Sequence, residues 1–220
     1  MMAALRNRVA AGLWRWLTSA GQTTAGTEAA RRFAAFGEGS TMAFPPGIVF
    51  GERYISIGAH TLIGANVTIS AGFVPGLYLG EVPLIRIGDG CVLGCGSHVI
   101  GHRSIDVADD VFTGPNVYIT DQNHGYENPD MPIGKQWPND APVRIGSGCW
   151  IGANAVILPG TVLGRNVVVA AGSVVRGEFP DHCVVGGVPA KVLRRYEAVT
   201  GWARVDAVQA QSRNARPASE

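Results

Sequence analysis

The chain has 220 residues, which suits one domain with short appendages. Its hydrophobic share of 46% can supply a core, and a formal net charge of +1 gives no overall basic bias of the kind nucleic-acid binding needs. No apolar run reaches the roughly 18 residues that mark a transmembrane helix, so none is expected.

Residues 1–42 differ in kind from the rest of the chain and read as a helical extension. Leu5, Val9, Leu13, Trp16 and Leu17 fall on one helical stripe, Arg6, Arg8 and Arg15 carry charge, and no acidic residue precedes Glu28. Arg15 interrupts the apolar stretch and no clean cleavage site follows, so a secretory signal is not expected. The stripe needs an apolar cover, unless the helix is loose. Packing on the body or on a neighbouring subunit is the favoured expectation; peripheral contact with an anionic membrane surface is the other. A second short helix is expected over Thr27–Phe36, and the main domain over 43–195, after Pro45-Pro46.

Within 43–195 an aliphatic residue returns every sixth position: Ile57, Ile63, Ile69; Ile87, Leu93; Val107, with Thr113 in phase, and Ile119; then Ile145, Ile151, Ile157, Leu163, Val169 and Val175. A period of six is neither helical nor simple strand alternation, so it marks a repeat architecture. Gly or Asn often stands three positions after the anchor, as at Asn66, Gly90, Asn116, Gly148, Asn154 and Asn166. These residues tolerate positive φ, so the chain is expected to turn a corner in every repeat. An all-β fold is the consequence, a parallel β-helix in which stacked rungs share main-chain hydrogen bonds. The register slips by two residues between Leu93 and Val107, and longer interruptions occur at Phe73–Leu84 and Asp121–Ala141. Residues 196–220 read as a C-terminal helix or a frayed tail. Cys91, Cys95, Cys149 and Cys183 contain no CxxC pair, which points to reduced, structural thiols and a cytoplasmic setting.

The stretch Asp109–Tyr196 resembles the hexapeptide-repeat acyltransferases, most closely the maltose/galactoside and polysaccharide O-acetyltransferase branch. The likeness is carried by Gly114-Pro115-Asn116-Val117, Thr120-Asp121-Gln122-Asn123-His124, Pro142-Val143-Arg144-Ile145-Gly146, Cys149-Trp150-Ile151-Gly152-Ala153, Leu158-Pro159-Gly160, Ala170-Ala171-Gly172-Ser173 and Gly187-Val188-Pro189-Ala190-Lys191. It implies a left-handed coil, a homotrimer with active sites between subunits, and acetyl-CoA as co-substrate.

His124 lies where the coil breaks into the long interruption, and long insertions in compact folds tend to carry function. An imidazole can take the proton of a sugar hydroxyl as that oxygen attacks a thioester. The resemblance places the catalytic histidine here. By the same resemblance Asp121, Asn123, His98 and His102 lie near the acceptor; His102 stands where relatives carry an acidic residue. Trp150 is expected to line the channel near the thioester, and Ala153 and Ala171 to expose main-chain groups to the pantetheine arm. A backbone N–H near Ala153 is the candidate oxyanion donor. Arg176, Lys191 and Arg194 are expected at the coenzyme A phosphates. His60 and His182 read as structural.

Three other functions compete. N-acetyl transfer to an amino sugar, amino acid or antibiotic keeps the chemistry and changes the acceptor. A non-catalytic scaffold keeps only the fold. Zinc held by His98, His102 and His124, as in gamma-class carbonic anhydrases, lacks that family's His-Gly-Cys pattern, so no metal is expected.

Overall fold

A computed structural model describes residues 2–74, 78–80 and 82–205. Short parallel strands stack into three faces of a prism. One face consists of Ala35–Phe36, Ile55–Ile57, Ile85–Ile87, Ile105–Val107, Val143–Ile145, Val162–Leu163 and Glu178–Phe179. Its outward residues include Arg86, Asp106 and Arg144 in register, so it is termed the charged face. The next consists of Thr41–Met42, Leu62–Ile63, Val92–Leu93, Phe112–Thr113, Trp150–Ile151, Val168–Val169 and Cys183–Gly187, the aromatic face. The last consists of Val49–Phe50, Thr68–Ala71, His98–Gly101, Tyr118–Thr120, Val156–Ile157 and Val174–Val175, the histidine face. The chain winds through the charged, aromatic and histidine faces in that order.

The six-residue anchors point inward and stack. Ile57, Ile87, Val107, Ile145 and Leu163 pair in register on the charged face, and Ile69, Val99, Ile119, Ile157 and Val175 on the histidine face. All are buried. Thr113 is a polar anchor on the aromatic face, and its hydroxyl accepts the Gly94 N–H at 2.9 Å, which removes the cost of burying it. The corners adopt positive φ as the pattern requires: 57° at Asn66, 56° at Asn116, 59° at Asn154 and 51° at Asn166. At Gly148 (φ 70°) a Cβ would also collide with the Asn166 side chain of the next coil. His60 and His182 occupy the same corner phase.

Both ends differ from expectation. Parallel pairing begins at Ala35, ahead of residue 43: Ala35–Phe36 pairs with Ser56–Ile57, and Thr41–Met42 with Leu62–Ile63. Thr27–Phe36 is not an α-helix but a 3-10 turn at Ala30–Arg32 followed by that strand. Tertiary pairing overrides the local helical pattern here. The Ala34 N–H donates to the Ile55 carbonyl, and Phe33 and Phe36 pack on the core. At the other end, Ala190–Glu197 and Gly201–Arg204 form an antiparallel hairpin on the aromatic-face sheet, so no helix starts at 196. Residues 206–220 of the expected tail lie outside the described residues.

The N-terminal α-helix spans Met2–Ala20 and has no buried residue. Leu5, Val9, Leu13 and Trp16 are all exposed, so the body of the same chain does not cover the stripe. Among the described residues no helix is long and apolar enough to cross a membrane.

Candidate active site

Every long excursion from the coil leaves at the edge where the histidine face turns into the charged face. Asp121 organises that edge. It is fully buried, and its carboxylate accepts three main-chain N–H groups: His102 at 2.8 Å, Arg103 at 2.8 Å and Ser104 at 2.6 Å. The two-residue slip in the repeat is therefore a turn wrapped around this carboxylate. Expected at the acceptor, Asp121 instead sits behind the surface with its oxygens engaged.

The interruption after Thr120 is a built arm. Its legs pair through Ala141 N–H to Asp121 O (2.9 Å), Asn139 N–H to Asn123 O (2.7 Å) and Gly125 N–H to Trp137 O (3.2 Å). Asp140 Oδ1 accepts the Asn123 N–H at 3.1 Å. Gln136 Nε2 closes the tip by donating to the carbonyls of Asn128 and Met131, each at 2.9 Å. Asn123 and His124 are exposed on the outgoing leg, and the His124 ring makes no hydrogen bond among the described residues. Its nitrogens are open to a ligand on a backbone that is pinned on both sides. Tyr126, Ile133 and Trp137 project from the arm uncovered, Trp137 at 89% exposure.

His102 stands beside this arm. Its ring stacks on Phe73 with centroids 3.9 Å apart, and Nδ1 lies 3.4 Å from Asp140 Oδ2. The geometry is not a hydrogen bond, and the buried Nδ1 has no hydrogen-bond partner among the described residues. His98 is exposed on the histidine face beside Tyr118, ring centroids 6.1 Å apart. Phe73 and Asp140 do not stand out in the sequence; Asp140 precedes Ala141-Pro142, where the coil resumes.

A second feature runs along the edge between the aromatic and histidine faces. Gly114-Pro115, Gly152-Ala153 and Ala170-Ala171 stack there. The Asn154 N–H donates to Pro115 O at 3.0 Å and the Gly172 N–H to Ala153 O at 2.9 Å. The N–H groups of Ala153 and Ala171 donate to no acceptor among the described residues. Small side chains leave both reachable. Trp150 is half exposed on the adjoining face, in register with Phe112 and Val168. Lys191 and Arg194 are exposed on the hairpin strand that extends the same sheet. Arg176 does not join this set: it follows Val175 and lies on the His124 edge. The two edges are separated by the histidine face, a six-residue side of at most about 20 Å.

Buried thiols are not available as nucleophiles. Burial pushes Cys149 up to about 11 and raises Cys91 and Cys183 as well. Cys95 is the exposed thiol. Among the described residues no three His, Cys, Asp or Glu side chains cluster in a way that could hold a metal ion.

A three-sided parallel coil with six-residue sides, Gly/Asn corners and one built arm defines a hexapeptide-repeat protein. Residues 142–177 match the family profile "Bacterial transferase hexapeptide (six repeats)", and 54–78 and 84–121 match "Hexapeptide repeat of succinyl-transferase". These stretches carry the hexapeptide repeats of those families, and the fold is the left-handed parallel β-helix. It is similar to WbbJ of Escherichia coli (strain K12), provisionally named a lipopolysaccharide biosynthesis O-acetyl transferase. The two are 37% identical over 110 residues, covering 47% of this chain and 56% of WbbJ. It is also similar to the galactoside O-acetyltransferase of the same organism, 30% identical over 130 residues, covering 59% of this chain and 63% of that one. The chain thus spans little more than half the length of these relatives. Among solved structures, a mutant of AntD, an N-acyltransferase from Bacillus cereus in complex with dTDP and coenzyme A, superposes with a TM-score of 0.62. At 17% identity the match covers 87% of this chain and 98% of that one, and it establishes the shared fold.

Proposed function

We propose that the chain is an acyl-CoA-dependent O-acyltransferase that transfers an acetyl group to a carbohydrate hydroxyl, with His124 as general base. The observation that carries this is the His124 ring, unbonded and exposed on an arm whose backbone is pinned. The names of the two relatives support oxygen as the acceptor atom. AntD transfers to nitrogen but is related at the level of fold alone, so its acceptor carries no weight here.

The residues fit a coenzyme A co-substrate. The free N–H groups of Ala153 and Ala171 suit the amides of a pantetheine arm, and Lys191 and Arg194 supply positive charge further along the same sheet. Bound acetyl-CoA supplies the thioester. A ring nitrogen of His124 takes the hydroxyl proton as the sugar oxygen attacks the carbonyl carbon in a ternary complex. The Ala153 N–H faces the position where negative charge develops on the carbonyl oxygen. As the carbon–sulfur bond breaks, His124 returns its proton to the departing sulfur, so atoms and charge balance. No covalent acyl-enzyme is required.

His124 and Ala153 occupy different edges of one prism, so the reading includes a homotrimer in which the arm of one copy meets the groove of the next. Leu62, Phe112 and Trp150, each about half exposed and aligned through Val92 on one face, offer apolar surface for that contact. Free thiols and a coenzyme A substrate accord with a cytoplasmic site of action.

The test is thiol release from acetyl-CoA with and without candidate sugars. His124→Ala is expected to lower turnover by roughly 10²–10⁴-fold. Its melting temperature should hold, because the ring makes no hydrogen bond among the described residues. Near-full turnover in the folded variant would remove His124 as the base.

A further inference from the structure

The edge that carries His124 also carries a pocket that the proposed proton transfer does not use. It has a volume of about 470 Å³ and lies at the first turns of the coil, between Gly51–Tyr54 and the segment of Val74 and Leu79. The Arg53 guanidinium lies 5.1 Å from the ring centroid of Tyr54 and 5.9 Å from that of Tyr78. Two aromatic rings thus flank the planar cation of Arg53, an exposed residue at the pocket wall. Leu79 N–H donates to Tyr54 Oη at 2.9 Å, which ties Leu79 to this wall. Arg32 pairs with Glu52 at 2.6 Å, so those charges offset each other and Arg53 remains as the net positive group. Tyr78 is 63% exposed and offers a flat face on which the C–H side of a sugar ring can pack.

The pocket lies on the same edge of the coil as the candidate site. Phe73, from the same inserted segment, stacks on His102, and His102 faces Asp140 of the arm that carries His124. The strands leading into these turns are successive neighbours: Val49–Phe50 pairs with Thr68–Ala71, that with His98–Gly101, and that with Tyr118–Thr120. At about 4.8 Å per strand, the pocket lies roughly 10–15 Å along the edge from the turn of His124. That is the reach of a sugar with a charged extension. The acidic groups on the way are already engaged: Glu52 by Arg32, Asp121 by three main-chain donors, and Asp140 by the Asn123 N–H.

We propose that this pocket binds the anionic part of the acceptor: a carbohydrate whose phosphate or carboxylate sits on Arg53 while a hydroxyl reaches His124. The inference rests on the acyl-transfer reading above and narrows its substrate class. A nucleotide-linked sugar and an acidic oligosaccharide would both present this chemistry.

The experiment titrates the full-length protein calorimetrically with UDP-glucose, with trigalacturonate and with neutral maltotriose, and measures acetyl transfer to each. At least one anionic probe is expected to bind more tightly than maltotriose, with affinity falling as salt rises. Binding of UDP-glucose alone assigns a diphosphate, and of trigalacturonate alone a carboxylate. Arg53→Ala should weaken that binding about tenfold or more, and Arg53→Lys less, because a charge-assisted pair is lost in the first and only its planar geometry in the second. Arg144→Ala removes an equal charge from the charged face and should change nothing. Anionic probes that bind no better than maltotriose, or as well to Arg53→Ala as to the native chain, would overturn the subsite. Acetyl transfer to maltotriose with a KM indifferent to Arg53 would do the same while leaving acyl transfer standing. Arg53-dependent binding with no transfer to any probe would retain the subsite and overturn the acyl-transfer reading.

Discussion

Asp121 offers a sharp separation between a structural and a substrate-binding role. In Asp121→Ala, the N–H groups of His102, Arg103 and Ser104 lose their acceptor at once. Hydrogen bonds to a charged group contribute about 1.5–3 kcal/mol each. Arg103 is exposed and His102 and Ser104 are half-buried, so water recovers part of that loss. A net destabilisation of about 3 kcal/mol is expected, which for a domain of this size lowers the melting temperature by about 6–12 °C. Asp121→Asn keeps one carbonyl acceptor and should lose about half as much. Because the same turn carries His102 next to the arm, turnover should fall together with stability. Thermal melting and steady-state kinetics on the same samples make the test. A variant that melts within a degree or two of the native protein, and whose only defect is a raised acceptor KM, would show Asp121 to be a substrate ligand and refute the turn-holding argument.

In the native protein a thiol reagent should label Cys95 and reach Cys91, Cys149 and Cys183 only on unfolding. The folded chain holds the buried thiol protons more tightly than the unfolded one, so stability should fall as pH rises from 9.0 towards about 11 and be indifferent to these groups below that range; a melting curve flat across that window would contradict it. Asp140→Ala should lower kcat more than it raises the KM for acetyl-CoA, since it frees the Asn123 N–H beside His124; equal changes in both would assign it a binding role. Mixing His124→Ala with Ala153→Trp protomers should restore activity that neither variant has alone, and a mixture as inactive as its parts would reject a site shared between copies. Leu13→Asp should weaken self-association and leave vesicle binding at background; salt-sensitive binding to anionic vesicles, lost in that variant, would place the helix on a membrane instead.

The coil is legible in the sequence because its rule is local and repeated. Each aliphatic anchor and each Gly or Asn corner states the same geometry, and one rung is enough to read it. The first rung escapes that pattern because its anchors are Phe36 and Met42 rather than Ile, Leu or Val. The other marks are present: Gly37 follows the anchor, and Gly39 holds the corner at φ 73°. The phase of the repeat also assigns each corner to an edge, which separates Arg176, after a histidine-face anchor, from Ala171, after an aromatic-face anchor. His124 is visible as a break in the repeat. Phe73 and Asp140 are not, because their meeting at His102 is made by the stacking of three different coils and leaves no spacing in the sequence. The engagement of Asp121 is hidden for the same reason: its three partners are main-chain groups, which have no residue type to read.

The solidity of the prism decides how the two halves of the site can meet. Anchors such as Ile119, Ile151 and Ile157 are fully or almost fully buried, so nothing passes through the interior from the His124 edge to the Ala153 edge. Passing around the outside means crossing the histidine face, too far for a proton transfer that needs contact within about 3 Å. A thioester bound along Ala153 and Ala171 is therefore out of reach of the same chain's His124 unless the arm swings, and the paired legs, the Asp140 contact and the Gln136 clasp all oppose that motion. A second copy resolves the geometry without movement. On the proposed shared-site reading it brings a fresh edge to the arm, and Trp137, Ile133 and Tyr126, exposed in the single chain, are the apolar surface available for that contact.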